Sequence, residues 1–183
     1  FLAVFFFVPT AHAATLVDLQ AAIIGGDFKK ANDIAKELET ANLPREDAQE
    51  ARYYLGLSYL RLNEYPRAET TFKKLRGERM KDELSDKVAV GHIDALYLQG
   101  FYENALKEAN GLISRRSASD MLSLFYLKAA RANLKLARWT KAQELLKRII
   151  ELFPDSFESG VAKQLLEEKQ YFTVQVGSFA DRS

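Results

Sequence analysis

The sequence predicts an all-α solenoid of four helical hairpins, followed by a capping helix and the first strand of a second domain. Three observations support this. Small residues recur every 37 positions, at Ala31, Ala68, Ala105 and Ala142. An aromatic residue stands three positions before each, at Phe28, Tyr65, Tyr102 and Trp139. Leu or Ile follows each alanine by seven positions. A fixed period of this length indicates stacked helical repeats, which usually present binding surfaces.

The first 13 residues predict part of an export signal. An apolar run ends at Pro9, and Ala11-His12-Ala13 has the small-x-small pattern of a signal-peptidase site. Because the run lacks an initiating Met and a basic segment, we expect the sequence to begin inside the signal. The run is shorter than the ~20 residues that span a bilayer, so we expect cleavage after Ala13, no stable membrane span in the mature chain and a periplasmic location.

Residues 14–154 predict four repeats, at about 14–43, 49–80, 86–116 and 123–154. Each contains two apolar helical stripes. The breaks between the stripes fall at Gly25-Gly26, Asn63, Gly100 and Ala137-Arg138, and the first three are turn signals that can reverse the chain. The recurring alanine is small enough to let two helices approach closely where they cross. Each repeat is therefore predicted to be a helix-turn-helix.

The second repeat resembles the tetratricopeptide repeat family. Tyr54-Leu55-Gly56-Leu57-Ser58-Tyr59, followed by Ala68, Phe72 and Leu75, matches its L-G-x-x-Y and A-x-x-x-F pattern. The fourth repeat fits through Tyr126, Ala130, Ala142, Leu146, Ile149 and Pro154. The first and third depart from the pattern at Ala35 and Ala109, where the family has Phe. The resemblance implies a right-handed superhelix. Its period is usually 34, so we expect longer loops at Ala41 to Arg45 and Arg115 to Ser119.

The resemblance also implies a protein-docking groove lined by the first helices. The ligand-facing family positions correspond here to Tyr53, Leu57, Arg61, Asp94, Tyr97, Leu127, Arg131 and Lys135. Tyrosine and arginine are common interface anchors. Three of these residues are basic and one is acidic, so the set favours an acidic segment or a peptide carboxylate as the ligand.

Residues 155–170 predict a capping helix, with Asp155 as its N-cap and Glu158 completing a capping box. The chain then changes character. Residues 171–177 alternate in the manner of a strand, and Val174-Gln175-Val176-Gly177-Ser178-Phe179 resembles the opening of the SPOR family, which binds peptidoglycan glycan strands. One strand is not a domain, so residues 171–183 are expected to begin a truncated one. The resemblance implies glycan contacts by Thr173, Gln175 and Ser178.

Composition and motifs argue against catalysis and nucleic-acid binding. The 26 basic and 25 acidic residues leave a formal charge of +1, which does not suggest nucleic acid as a partner. Cysteine is absent, and His92 is the only histidine after residue 13. The sequence contains no motif for a phosphate loop, zinc site or catalytic triad, so we expect no catalytic residue, metal ligand or cofactor.

The predicted function is a non-enzymatic scaffold in cell-wall remodelling or division. It would dock an envelope protein or peptide on the groove and target peptidoglycan through the SPOR segment. The sequence leaves two alternatives open. The chain could be a periplasmic assembly factor or co-chaperone without glycan binding, or the targeting part of a wall hydrolase whose catalytic domain is missing.

Overall fold

A computed structural model describes residues 14–167, and all nine elements in that range are helices. The predicted signal at 1–13 and the predicted strand at 171–183, with Thr173, Gln175 and Ser178, lie outside the described residues. The helices are α1 Leu16–Ile24, α2 Phe28–Thr40, α3 Arg45–Arg61, α4 Tyr65–Arg76, α5 Asp82–Leu98, α6 Tyr102–Arg115, α7 Leu122–Lys135, α8 Trp139–Leu152 and α9 157–167. No helix in this range is long and apolar enough to cross a membrane. The prediction of an all-α solenoid is confirmed.

Every second helix begins at its repeating aromatic residue. Phe28, Tyr65, Tyr102 and Trp139 are the first residues of α2, α4, α6 and α8. The four alanines that follow are at most 1% exposed. They lie one turn into the helix, and each second helix packs along both the first helix before it and the first helix after it where both are among α1–α8. A side chain this small is therefore required where the helices come closest.

The first helices of the middle repeats are longer than the sequence suggested. Both α3 and α5 contain 17 residues, whereas α7 contains 14. Arg45 begins α3 instead of ending a loop, so part of the extra length expected in loops lies in helix. The first turns of α3 and α5 are acidic, with Glu46 and Asp47 in α3, and negative charge stabilises a helix N-terminus. These turns carry no apolar stripe from which the start could be read.

The four hairpin turns have one common geometry. Gly26, Asn63, Gly100 and Ala137 occupy the left-handed region, with φ of 75°, 62°, 85° and 56°. The next residue donates its N–H to a carbonyl five positions back, in the pairs Asp27 to Ala22, Glu64 to Tyr59, Phe101 to Leu96 and Arg138 to Asn133. This is the Schellman arrangement, which satisfies carbonyls at the end of the first helix. Three of these positions hold Gly or Asn, which adopt a left-handed backbone at little cost. The fourth holds an alanine, Ala137, for which this conformation is unfavourable.

The core of the second repeat is built around Phe72 of α4. Its ring is fully buried and lies against two glycines, Gly56 of α3 and Gly91 of α5. A Cβ atom on Gly56 would come within 2.6 Å of the ring, and one on Gly91 within 2.5 Å. The equivalent residues Ala35 and Ala109 are also buried but much smaller. The two glycines therefore make the space that the large ring occupies.

The hairpins stack with their first helices forming the inner layer. Within α1–α8, α1 contacts α3, α3 contacts α5 and α5 contacts α7, whereas no second helix contacts another second helix. Helices that approach each other on one side and separate on the other make a curved stack, with the touching layer on the concave side. The first helices therefore supply the inner face.

The capping helix differs from its prediction at the N-cap. The cap is Ser156, whose Oγ accepts a hydrogen bond from the Ser159 amide at 3.1 Å. Asp155 precedes it in a turn. Glu158 accepts a hydrogen bond from Ser123 of α7 at 3.1 Å, so it ties α9 to the stack. Ala162 is fully buried in the last apolar cluster, and α9 thus covers the end of the fourth hairpin.

Candidate functional site

The structure places most of the predicted groove residues on the accessible surface of the inner layer. Arg61, Arg131 and Lys135 are exposed, and Tyr53, Leu57, Asp94 and Tyr97 are half-buried. Leu127 is the exception, since it is only 3% exposed. It packs in an apolar cluster with Tyr126, Ala130 and Ala162 of the capping helix. Leu127 is therefore a core residue and offers no contact surface.

Tyrosine and charged side chains meet at the centre of this face, across α3, α5 and α7. Burial raises the pKa of Tyr53 to about 12, with smaller contributions from Tyr54 and the Asp94 carboxylate. Asp94 forms an ion pair with Lys128 of α7. Burial also raises the pKa of Tyr97, and the nearby Arg131 guanidinium opposes that rise. Both hydroxyls stay protonated near neutral pH and can donate hydrogen bonds to a ligand.

The sequence prediction missed Lys128, although a signal for it exists. Several ion pairs join residues 34 or 35 positions apart, slightly less than one repeat. They are Lys81 with Glu46, Arg116 with Asp82, Lys128 with Asp94 and Arg138 with Glu103. Lys128 and Asp94 lie on the corresponding helices α7 and α5, whereas Lys81, Arg116 and Arg138 lie at cap positions next to helices. Opposite charges at this offset could therefore have identified Lys128 as the partner of Asp94.

The N-terminal ends of α3 and α5 enclose a cavity of about 240 Å³. Its walls include Glu50, Tyr53, Tyr54 and Leu84. Glu50 accepts a hydrogen bond from the Gln20 amide at 2.9 Å. At the rim, Lys81 pairs with Glu46 at 2.5 Å and Lys87 with Glu83 at 2.6 Å. The carboxylates that line this cavity are thus already engaged within the protein.

The C-terminal ends of the first helices carry one residue each at the same position of the repeat. These residues are Ile24, Arg61, Leu98 and Lys135, which we call the C-terminal row. Ile24 is 87% and Leu98 47% exposed, and Arg61 and Lys135 are exposed as well. The Arg61 guanidinium lies over the Phe28 ring, 5.8 Å from its centre. The row therefore alternates apolar and cationic side chains along the stack.

A partly buried polar cluster joins α4, α5 and α6. His92 is buried, and its Nδ1 lies 2.8 Å from Nη1 of Arg76, which makes Nδ1 the acceptor and leaves the proton on Nε2. The other terminal nitrogen of Arg76, Nη2, lies 2.7 Å from Oε2 of Glu108. Burial lowers the pKa of His92, and the Arg76 charge lowers it further, while Glu108 and Glu69 act in the opposite direction. His92 is therefore a buried residue held by contacts within the protein.

We expect the free energy of unfolding to fall as the pH is lowered below about 6.5, the ordinary histidine pKa. The unfolded chain takes up a proton there, whereas His92 in the native state does not until its lowered pKa is reached, so protons favour unfolding in that window. Above it, neither state binds the proton and the contribution vanishes. Urea denaturation at about pH 7.5 and about pH 5.5 measures this fall in the free energy of unfolding, which should be smaller in His92→Leu than in the parent. Leucine is chosen because Leu55 holds the equivalent position of the preceding repeat. Equal losses in parent and variant would contradict this assignment.

Comparison with known proteins agrees with the repeat architecture. The family model described as "Tetratricopeptide repeat" matches residues 50–78 and 125–156, which cover the hairpins α3–α4 and α7–α8. Two of the four hairpins therefore carry the tetratricopeptide repeat signature. The matched segments are the two in which the sequence pattern was strongest, and Phe72 and Leu146 fill the position held by Ala35 and Ala109 elsewhere. No curated protein sequence matches this chain significantly.

Solved structures show the same tetratricopeptide fold. YrrB, described as a TPR protein with an unusual peptide-binding site, superposes with a TM-score of 0.64 at 16% identity over 80% of this chain and 71% of its own. MamA, residues 41 to the end, from Desulfovibrio magneticus RS-1 superposes with a TM-score of 0.60 at 18% identity over 90% of this chain and 93% of its own. Identities this low show the fold alone. We take the inner face of the first helices as the candidate site, because half-buried tyrosines and exposed cations meet there.

Proposed function

We propose that this chain is a non-enzymatic exported scaffold that docks a protein partner on its inner face and targets peptidoglycan through residues 171–183. The observation that carries the docking role is the inner face itself. It presents protonated tyrosine hydroxyls at Tyr53 and Tyr97 beside the exposed Arg131. Tyrosine and arginine supply much of the energy at protein interfaces.

The repeat geometry extends this surface along the stack. Equivalent positions on neighbouring first helices lie side by side, so a bound segment can contact several repeats in the same register. The peptide-binding site described for YrrB, which has the same fold, supports a peptide-like ligand for this chain too. Across the described residues, no three side chains of His, Asp or Glu cluster as a metal site would need.

Site-specific photo-cross-linking tests the docking role. A photoreactive residue at Leu57 on the inner face should link the exported chain to one discrete partner in intact cells. The same residue at Lys147, which is exposed on α8 of the outer layer, is the matched control and should give no discrete product. Equal products from the two positions, or none from Leu57, would reject docking on the inner face.

The proposed wall targeting rests on the SPOR-like segment. The predicted strand alternates, so Phe172, Val174 and Val176 would face a core, and Thr173 and Gln175 the opposite side. The Gln175 amide can both donate to and accept from sugar hydroxyl and acetamido groups. Tethering a glycan-binding module to the groove would raise the effective concentration of the docked partner at the wall, which is the mechanism we propose for the scaffold.

A sedimentation assay on sacculi tests the wall role with the whole gene product. Binding should appear when amidase has removed the stem peptides and should be weak on untreated sacculi. The Gln175→Ala variant should bind severalfold less, since unpaired sugar groups cost about 1 kcal/mol or more. A matched Gln143→Ala change on α8 should have no effect. Unchanged binding by Gln175→Ala, or no binding by the parent, would reject the glycan assignment while leaving the docking role intact.

A further inference from the structure

The C-terminal row contains cations that have no acidic partner. In the N-terminal and central parts of the first helices, the basic side chains are all engaged. Arg52 pairs with Glu78, Lys87 with Glu83 and Lys128 with Asp94, and Arg45 donates to the Arg79 carbonyl. Arg61, Arg131 and Lys135 form no ion pair with any residue in 14–167. The unbalanced positive charge of the inner layer is thus concentrated at one end.

The acidic residues near that end do not balance it. Glu64, in the second hairpin turn, pairs with Arg67 at 2.6 Å. Glu103, at the start of α6, accepts hydrogen bonds from both terminal nitrogens of Arg138, at 2.5 Å from Nη2 and 3.0 Å from Nη1. Asp27, in the first turn, accepts a hydrogen bond from the Lys30 amide as the cap of α2. Each carboxylate already has a partner, so the cations of the row are available to carboxylates from outside.

Exposed apolar side chains separate these cations. Ile24 precedes Arg61 in the row, and Leu98 stands between Arg61 and Lys135. Phe101, in the turn that follows Leu98, is 51% exposed as well. A purely acidic ligand would leave these surfaces in water, and a purely apolar one would leave the cations unpaired. The row therefore fits a ligand that carries both kinds of group in alternation.

Building on the proposed docking function, we propose that the C-terminal row binds an extended acidic segment of the partner, in which carboxylate side chains alternate with apolar ones at three-residue intervals. The spacing follows from the stack. Packed helices lie about 8–10 Å apart. A polyproline II segment has three residues per turn and a rise of about 3.1 Å per residue, so every third side chain points the same way after about 9 Å. Carboxylates would reach Arg61 and Lys135, and apolar groups Ile24 and Leu98, in either chain direction.

A peptide of this pattern tests the proposal on the intact 183-residue chain. The probe is a fluorescein-labelled ten-residue peptide with leucine at its first and seventh positions, glutamate at its fourth and tenth, and serine and proline elsewhere. A second peptide of the same composition places leucine and glutamate at two-residue intervals, and a third replaces glutamate by lysine. Fluorescence anisotropy should show the first peptide binding at least about tenfold more tightly than the others, and more weakly at high salt.

Charge reversal in the row should transfer this preference. The Arg61→Glu/Lys135→Glu protein should bind the glutamate peptide at least about tenfold more weakly and the lysine peptide more tightly than the parent does. Leu98→Ser should weaken binding of the glutamate peptide severalfold and leave the salt dependence of binding unchanged. The matched control is Lys141→Glu/Lys147→Glu, which makes the same charge change on exposed residues of α8. Its affinity for the glutamate peptide should stay within about twofold of that of the parent. Melting curves should show that every variant is folded.

Several results would overturn the proposal. The proposal fails if both double variants weaken peptide binding equally, if binding does not depend on the spacing of leucine and glutamate in the peptide, or if the parent prefers the lysine peptide. It also fails if the chain self-associates and Arg61→Glu/Lys135→Glu abolishes that self-association. The last result would make a second copy the occupant. If cross-linking at Leu57 succeeds while the row variants change nothing, docking stands and only the row assignment fails. If both fail, the proposed docking function fails too.

Discussion

Replacing Phe72 with alanine should lower the free energy of unfolding by about 3–5 kcal/mol, the largest effect we expect from one substitution in this chain. The ring is fully buried between Gly56 and Gly91, neither of which has a side chain that could move into the vacated space. The cavity would therefore stay open. Urea denaturation followed by far-UV circular dichroism measures the loss, and a change below about 1 kcal/mol would contradict this packing.

The reverse change at the same contact provides a matched test. Gly91→Ala should destabilise the fold by about 1–3 kcal/mol, because a Cβ atom 2.5 Å from the Phe72 ring cannot be accommodated without a shift. In an open helix the same substitution would stabilise by about 1 kcal/mol. The double variant Phe72→Ala/Gly91→Ala should cost clearly less than the sum of the single changes, since the added methyl group enters the cavity. Additive costs would show that the two positions do not share this space.

Ala137→Gly should raise the free energy of unfolding by about 0.5–1 kcal/mol. A φ of 56° costs an L-residue about 1–2 kcal/mol, and glycine relieves this strain. Part of the stabilisation is offset because glycine has more conformational freedom in the unfolded chain. The midpoint of thermal unfolding should rise by a few degrees in a chain of this size.

The opposite substitution in the preceding turn is the control. Gly100→Ala should lower the free energy of unfolding by about 1 kcal/mol, because Gly100 has the same backbone geometry, with φ of 85°. An added Cβ atom there meets no other atom within 4 Å, so backbone conformation alone accounts for the loss. Changes of the same sign in Ala137→Gly and Gly100→Ala would contradict the common turn geometry.

The second helices could be predicted closely because their signals are local. The aromatic residue at the helix start, the alanine three positions later and the Leu or Ile seven positions beyond it all lie on one helix. The turn at Gly26 or Gly100 is also encoded by the residue that occupies it. Ala137 shows the limit of this local code, since nothing in its own chemistry favours a left-handed turn. Its position in the period was the only guide.

Other features depend on neighbours that the sequence does not name. Leu127 has the repeat position of a groove residue, yet it is buried in a cluster that includes Ala162 of the capping helix. Ser156 caps that helix in place of Asp155, because α9 begins at residue 157 and Glu158 turns to Ser123. Periodicity gives the place of a residue on its own helix. It does not show which later element will cover that place.

Coupling between repeats was hardest to anticipate. Phe72 follows the tetratricopeptide pattern, but the room for its ring also comes from Gly91 in the next repeat, outside that pattern. His92 and Glu108 meet only through Arg76 of the preceding hairpin. These contacts join positions that differ from repeat to repeat, so aligning the repeats does not reveal them.

The absence of contact between second helices among α1–α8 has a mechanical consequence. No hairpin in that range touches one beyond its immediate neighbour, so the stack behaves as a one-dimensional chain of links whose strength is set by adjacent pairs. A load applied along the axis would pass through every interface in series, and the weakest would open first. Among the hairpins of α1–α8, the first has the smallest contact between its own two helices, because α1 contains only 9 residues, so this hairpin would come apart first. The buried Phe72 lies in the second, where it would resist the spread of the opening along the stack.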